Sequence, residues 1–174
     1  YSFEYDRSGD LAKYEDAMAA CSTALAVDTL SAAANLAVGR VYEWASETAD
    51  AKRAYGRILR VDPKNTNARI RTAWVLWEEE RPDEAETENR PVIEMKPDYY
   101  RGYSVLADLF RMRGRLEDAI HNYKRALEFA PNEFYTLNRL ATCYNLQHRS
   151  TEALEIWQRA FAIKPECGSC QGIG

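Results

Sequence analysis

Histidine is nearly absent from this chain, with two residues in 174. His121 stands beside Asn122 on the exposed side of a predicted helix and His148 stands in a turn. Neither has a nucleophile or a metal partner at ligand spacing, and no zinc-protease motif occurs. Glycine is scarce as well, at eight residues, and no glycine-rich loop is present to cradle a phosphate. Glu78, Glu79 and Glu80 form a carboxylate run, which at a helix end reads as a solvated patch rather than an acid–base pair. These absences exclude the common catalytic devices, and the chain reads as a non-enzyme without cofactors. A cationic excess is missing too: 23 Lys and Arg face 27 Asp and Glu, for a net charge of −4 and a pI near 5.4. Binding nucleic acid by neutralising its backbone needs a clustered excess of cations, so nucleic acid is excluded as a partner. No apolar run approaches 18 residues and no basic-then-apolar leader opens the chain, which argues against direct membrane insertion.

What is present is an ordinary folding composition, 46% hydrophobic and 29% charged, arranged with a strict period. The stretch from Tyr100 to Pro131 predicts two amphipathic helices. Tyr103, Leu106, Ala107 and Phe110 recur at helical spacing, as do Ala119, Tyr123, Ala126 and Leu127, with Gly114 between the two sets. Pro63, Pro97, Pro131 and Pro165 are each separated by 34 residues. Two columns of small residues keep the same step: Gly39, Ala73, Ala107 and Ala141, and Ala17, Ala51, Ala85, Ala119 and Ala153. They mark the closest approach of paired helices, where a larger side chain overpacks at roughly 1–3 kcal/mol. This period and pattern resemble the tetratricopeptide repeat, a helix-turn-helix unit with W-x2-L-G-x2-Y…A-x3-F…P spacing. The resemblance implies an all-α fold, a right-handed α-α superhelix or solenoid, working as a protein–protein interaction module.

On this reading residues 1–31 form a degenerate N-terminal repeat, and residues 32–65 a nearly complete one. Residues 66–99 form an irregular repeat, 100–133 and 134–165 are regular, and 166–174 are a tail, with 1–165 as one superhelical domain. The first repeat is expected to hold a short helix with Phe3 and Tyr5, a break at Ser8-Gly9-Asp10, and a second helix burying Ala17, Cys21, Ala24 and Leu25. Pro91 falls inside a predicted helix, where it removes a backbone hydrogen bond and predicts a kink. That kink reads either as drift in a tolerant repeat or as altered curvature that shapes the binding surface. Asn89 replaces the aromatic residue of the column Tyr55, Tyr123 and Trp157, and His148 replaces the turn glycine.

In the family the first helices line a concave groove. The matching columns give Arg40, Glu43 and Trp44, then Asn67, Ile70, Arg71, Trp74, Trp77 and Glu78. The next two repeats add Arg101, Asp108, Arg111 and Met112, and Tyr135, Asn138, Arg139, Thr142 and Asn145. Spacing puts Ile70, Trp74 and Trp77 on one face. Trp, Tyr and Arg are enriched in binding hot spots, and five arginines face three acids in this set. The expected partner is a protein or peptide with acidic and aromatic or apolar side chains, and the expected role an assembly scaffold or adaptor. The alternative is the targeting arm of a larger enzyme or chaperone continuing beyond Gly174. Asn67 with Arg71, and Asn138 with Arg139, echo the clamp by which some family members hold the acidic C-terminus of heat-shock chaperones, although no Lys stands in these columns.

Two features remain. Cys167-Gly168-Ser169-Cys170 with Gly172 and Gly174 fits C-x-x-C-x-G-x-G and resembles one zinc knuckle of J-protein chaperones. Four zinc ligands are not present, so Cys167 and Cys170 stand as a weak metal pair, a disulfide or an inert tail. Cys21 and Cys143 read as buried small residues. The last repeat leaves Leu154, Trp157 and Phe161 with little to cover them, which raises self-association through an uncapped C-terminal repeat. The composition does not fix a compartment; the cytoplasm is favoured over the periplasm or secretion.

Overall fold

The 34-residue step of the prolines returns as the step between helix starts. The computed structural model describes residues 7–165, with side chains from Tyr14 onward. The described residues form α1 (Arg7–Val27), α2 (Ala32–Trp44), α3 (Thr48–Val61), α4 (Thr66–Glu78), α5 (Pro82–Met95), α6 (Tyr100–Met112), α7 (Leu116–Phe129), α8 (Phe134–Leu146) and α9 (Ser150–Ile163), and no strand. The fold is an all-α helical repeat. First helices begin at Ala32, Thr66, Tyr100 and Phe134, and second helices at Thr48, Pro82, Leu116 and Ser150.

Capping chemistry explains these boundaries. Ser31, Asn65 and Glu133 occupy equivalent N-cap positions. Their side chains accept from the amides of Ala34, Ala68 and Thr136 at 3.4, 3.1 and 2.6 Å, satisfying donors that a helix start leaves free. At the other end of each first helix, Ser46, Glu80, Gly114 and His148 take left-handed conformations with φ of 60, 59, 73 and 59°. Each turn closes with the same pair of bonds. In the Gly114 turn they run from the Gly114 amide to the Arg111 carbonyl at 3.0 Å and from the Arg115 amide to the Phe110 carbonyl at 2.9 Å. This is the Schellman termination, for which a left-handed residue is the requirement and glycine the least strained solution.

The residues pack as two compact units that divide inside α5, between Glu88 and Asn89. In the first, Ala51, Tyr55 and Ile58 of α3 meet Ala68 and Val75 of α4. Cys21 of α1 packs with Val38 and Ala54, with Met18 and Leu25 alongside. In the second unit, Leu106, Phe110, Ala119, Ile120, Tyr123, Leu140, Tyr144 and Ala153 form one cluster. The small-residue columns are fully buried wherever alanine occupies them in α3 to α9. A Cβ placed on Gly39 meets the Tyr55 ring at 2.4 Å, so the Tyr55 ring lies directly on the glycine.

Two local expectations are corrected. Ser8-Gly9-Asp10 does not break the chain, because α1 runs through it from Arg7. A single glycine costs a helix only about 1 kcal/mol, which the following turns outweigh. In the same helix Ala24 is exposed and Met18 takes the inward place. Phe3 and Tyr5 lie outside the described residues. Pro91 sits within α5, which continues across it as one helix to Met95. The proline leaves the Thr87 carbonyl without its usual intrahelical donor. Two residues earlier, Asn89 is fully buried. Its Nδ2 donates to the Gly102 carbonyl at 2.8 Å, so this side chain faces the next hairpin, and its Oδ1 has no partner among the described residues.

The turn geometry makes a stability prediction. His148→Gly or Glu80→Gly relieves left-handed strain and raises unfolding free energy by about 0.5–1 kcal/mol. Gly114→Ala, which meets no atom within 4 Å, lowers it by about 1 kcal/mol through backbone strain alone. Urea denaturation reads both signs, and a stabilising Gly114→Ala would contradict the assignment.

Candidate functional site

First helices lie side by side within each unit, α2 with α4 and α6 with α8, and their polar residues form a face on each. On the first unit's face, Tyr55 Oη donates to Glu43 Oε1 at 2.9 Å, and Arg71 Nη1 donates to Glu43 Oε2 at 3.2 Å. One carboxylate of α2 therefore ties down a second-helix phenol and a guanidinium of the following hairpin. The second unit repeats the device from a position one turn earlier on its helix. Tyr123 Oη donates to Asp108 Oδ1 at 2.5 Å, and Arg139 pairs with Asp108 Oδ2. Arg111 Nε lies 4.0 Å from Asp108 and donates to Tyr123 Oη at 3.3 Å. Ser104 and Thr136 hydroxyls meet at 3.2 Å on the same pair of helices.

These contacts sort the expected groove residues. Asp108, 2% exposed, lies beneath the face as an anchor, and Arg71, Arg111 and Arg139 are held by carboxylates. Arg40 and Arg101 make no ion pair among the described residues. On the first face Arg40 and Arg71 balance Glu43 and Glu78. Glu78 has its pKa raised by burial and by the nearby Glu43. On the second face Arg101, Arg111 and Arg139 exceed Asp108 by two charges. The basic excess read from sequence is thus a property of the second unit alone.

The aromatic residues divide differently. Trp44 is 56% exposed and stacks on Tyr14 with centroids 6.2 Å apart. Trp74 and Trp77 are half-buried and Asn67 is exposed. Ile70 is only 1% exposed, so it belongs to the core and offers nothing to a ligand, which corrects its placement in the groove. Tyr135 is 60% exposed and lies edge-on to Phe134 at 5.4 Å. Asn138 accepts from Trp157 Nε1 at 2.9 Å, so its carbonyl is already engaged. That bond, and the pairing of Arg139 with Asp108, join side chains 19 and 31 residues apart. No local spacing reveals them.

Model comparison with known families matches the tetratricopeptide repeat over residues 45–109 and again over 122–155. This chain belongs to the tetratricopeptide repeat family. Mouse (Mus musculus) tetratricopeptide repeat protein 21A is 33% identical over 89 residues, which is 48% of this chain and 7% of that protein. The chain therefore spans a small part of its curated relative. Among solved structures, MamA is similar with a TM-score of 0.69 and 16% identity, covering 95% of this chain and 97% of that one. YrrB, described as a TPR protein with an unusual peptide-binding site, gives 0.65 and 21%, covering 94% and 84%. PilF of Pseudomonas aeruginosa gives 0.77 and 18%, covering 95% and 75%. At these identities the likeness is one of fold.

Among the described residues of this tetratricopeptide chain no cluster of three or more His, Cys, Asp or Glu side chains is placed to hold a metal. No described helix is long and apolar enough to cross a membrane. Cys21 and Cys143 are buried free thiols, and burial pushes the Cys143 thiol up to about 11. Cys167 and Cys170 lie outside the described residues.

Burial raises the Asp108 pKa, and Arg139, Tyr123 and Arg111 pull against that rise. Tyr55 and Tyr123 are also raised, first by burial and then by the carboxylates they donate to. An unfolded phenol ionises near pH 10 whereas these folded ones stay protonated. Their contribution is therefore whole below about pH 10 and is lost as pH rises above it. The urea midpoint of the wild type falls between pH ~9.5 and ~11, and that of the Tyr55→Phe/Tyr123→Phe variant falls less steeply. Parallel pH profiles would contradict the bonding.

Proposed function

We propose that this chain is a non-enzymatic interaction module whose first-helix faces hold a peptide segment of a protein partner, in an assembly scaffold or adaptor. The observation that carries this reading is the pairing of unneutralised guanidinium groups with accessible aromatic surface. Arg101 lies on a face two charges in excess, and Arg40 stands on the face that presents Trp44, Trp74 and Trp77. A peptide with acidic side chains meets the free cations, and its aromatic or apolar residues meet the tryptophans and Tyr135. The peptide-binding description of YrrB supports the same class of ligand.

A second reading takes these repeats as the targeting arm of a larger enzyme or chaperone. It draws on the mouse relative, in which the similar stretch is 7% of the length. Self-association through the last hairpin belongs to the same set of proposals. Leu154 and Phe161 are 39% and 43% exposed, whereas the equivalent Ile120 of α7 is 7% exposed. Equivalent Leu127 packs on Phe134, Leu137 and Ala160.

Selection from a random-peptide display library tests the main reading. The recovered peptides are expected to be rich in Asp or Glu with Phe, Leu or Trp, and Trp74→Ala is expected to weaken them by on the order of 2 kcal/mol without lowering the melting temperature. An unchanged affinity in a folded Trp74→Ala variant removes the assignment.

A further inference from the structure

We propose that a cavity between α7, α8 and α9 is a second peptide site, separate from the first-helix faces, which takes one large apolar side chain flanked by a carboxylate. The cavity measures about 280 Å³. Its accessible apolar lining is the half-buried Leu127 of α7 and Ile156 of α9, and beneath them lie Leu140 and Tyr144 of α8, both buried. Sites that enclose drug-sized ligands start at roughly 300 Å³. A volume just under that limit suits a single anchor side chain of a peptide.

The rim specifies charge. Lys124 and Arg159 are both exposed and stand on opposite walls. Neither makes an ion pair among the described residues. Lys124 Nζ lies 5.7 Å from the Tyr144 ring centroid, and Arg159 donates only to the Pro131 carbonyl, at 3.4 Å. Glu128, the acid on the rim, is neutralised by Arg125. Two cations without an ion pair among the described residues, Lys124 also lying in the field of Glu152, therefore border an apolar hollow, which is complementary to an apolar residue next to Asp or Glu.

The preceding junction of the same unit shows that this chemistry is particular to the last one. Thirty-four residues earlier, Leu106 and Phe110 repeat the floor and Ile93 repeats Leu127, but Asn122 stands where Ile156 does. Asn122 bonds back to the Asp118 carbonyl at 2.8 Å. Arg125, in the place of Arg159, is held by Glu128 and lies 4.9 Å from the Phe129 ring centroid. The apolar wall is lost there and the cation in the place of Arg159 is paired, while Arg90 keeps a cation in the place of Lys124.

The test uses the intact chain and two synthetic probes, acetyl-Glu-Phe-Leu-Glu amide and acetyl-Lys-Phe-Leu-Lys amide, followed by amide NMR. The acidic probe is expected to shift Lys124, Leu127, Ile156 and Arg159 at concentrations up to about 1 mM, and the basic probe to bind at least about tenfold more weakly. The exposed pair Lys124→Glu/Arg159→Glu leaves the fold intact and is expected to weaken the acidic probe about tenfold, as is Ile156→Asn, which installs the residue of the preceding junction. Absence of binding by the acidic probe overturns the site. So do equal affinities for the two probes, insensitivity to the charge reversal, or shifts confined to Arg101, Arg111 and Arg139. The last result would still support the first-helix reading, so the two proposals fail separately.

Discussion

The interaction on which this structure turns is a buried phenol donating to a carboxylate that also receives an arginine from the next hairpin. Tyr55, Glu43 and Arg71 make it in one unit, and Tyr123, Asp108 and Arg139 in the other. The phenol locks the two helices of a hairpin at the point where a Gly or Ala column permits close approach. The arginine then couples that hairpin to its successor. Asp108 is desolvated and its pKa is raised by burial, so its ion pair matters more than a surface one. Asp108 is buried but Arg139 is 43% exposed, so the pair stands between an exposed one, which contributes about 0–1 kcal/mol, and a fully buried one, whose breaking costs about 3–5 kcal/mol. The surface pairs Arg53 with Asp50 and Arg149 with Glu152 are of the exposed kind.

This device decides which charges the first-helix faces leave without an ion pair. Arg71, Arg111 and Arg139 point their guanidinium groups into the protein's own carboxylates, which leaves Arg40 and Arg101 as the two arginines of the first-helix columns without an ion pair among the described residues. The tryptophan-bearing face is electrically balanced and the Tyr135-bearing face is positive.

The architecture was legible because its determinants are local. Helix starts, N-caps and left-handed turns each depend on residues within a few positions, and the 34-residue period repeats them until chance is excluded. Gly114 announced its turn through its identity, while Ser46, Glu80 and His148 fill the same conformation at a strain that only the period reveals. The site was legible as a set of columns but not as a charge distribution, since the pairing of Arg139 with Asp108 spans 31 residues and leaves no trace in spacing. Ile70 shared the helical face of Trp74 and was placed with it. Burying an isoleucine contributes about 1.5–3 kcal/mol, and the structure puts it in the core. Asn89 lacks the reach of the tyrosines in its column and bonds instead to the Gly102 carbonyl of the next hairpin. Its identity signalled the irregularity without giving its direction.

The claim that these carboxylates fasten phenol and guanidinium together is tested most directly by a double-mutant cycle of Tyr123→Phe and Arg139→Ala in urea unfolding at neutral pH. Shared dependence on Asp108 predicts a coupling energy of about 1 kcal/mol or more between the two substitutions. Strict additivity within about 0.3 kcal/mol would contradict it and return Arg139 to the pool of free groove cations.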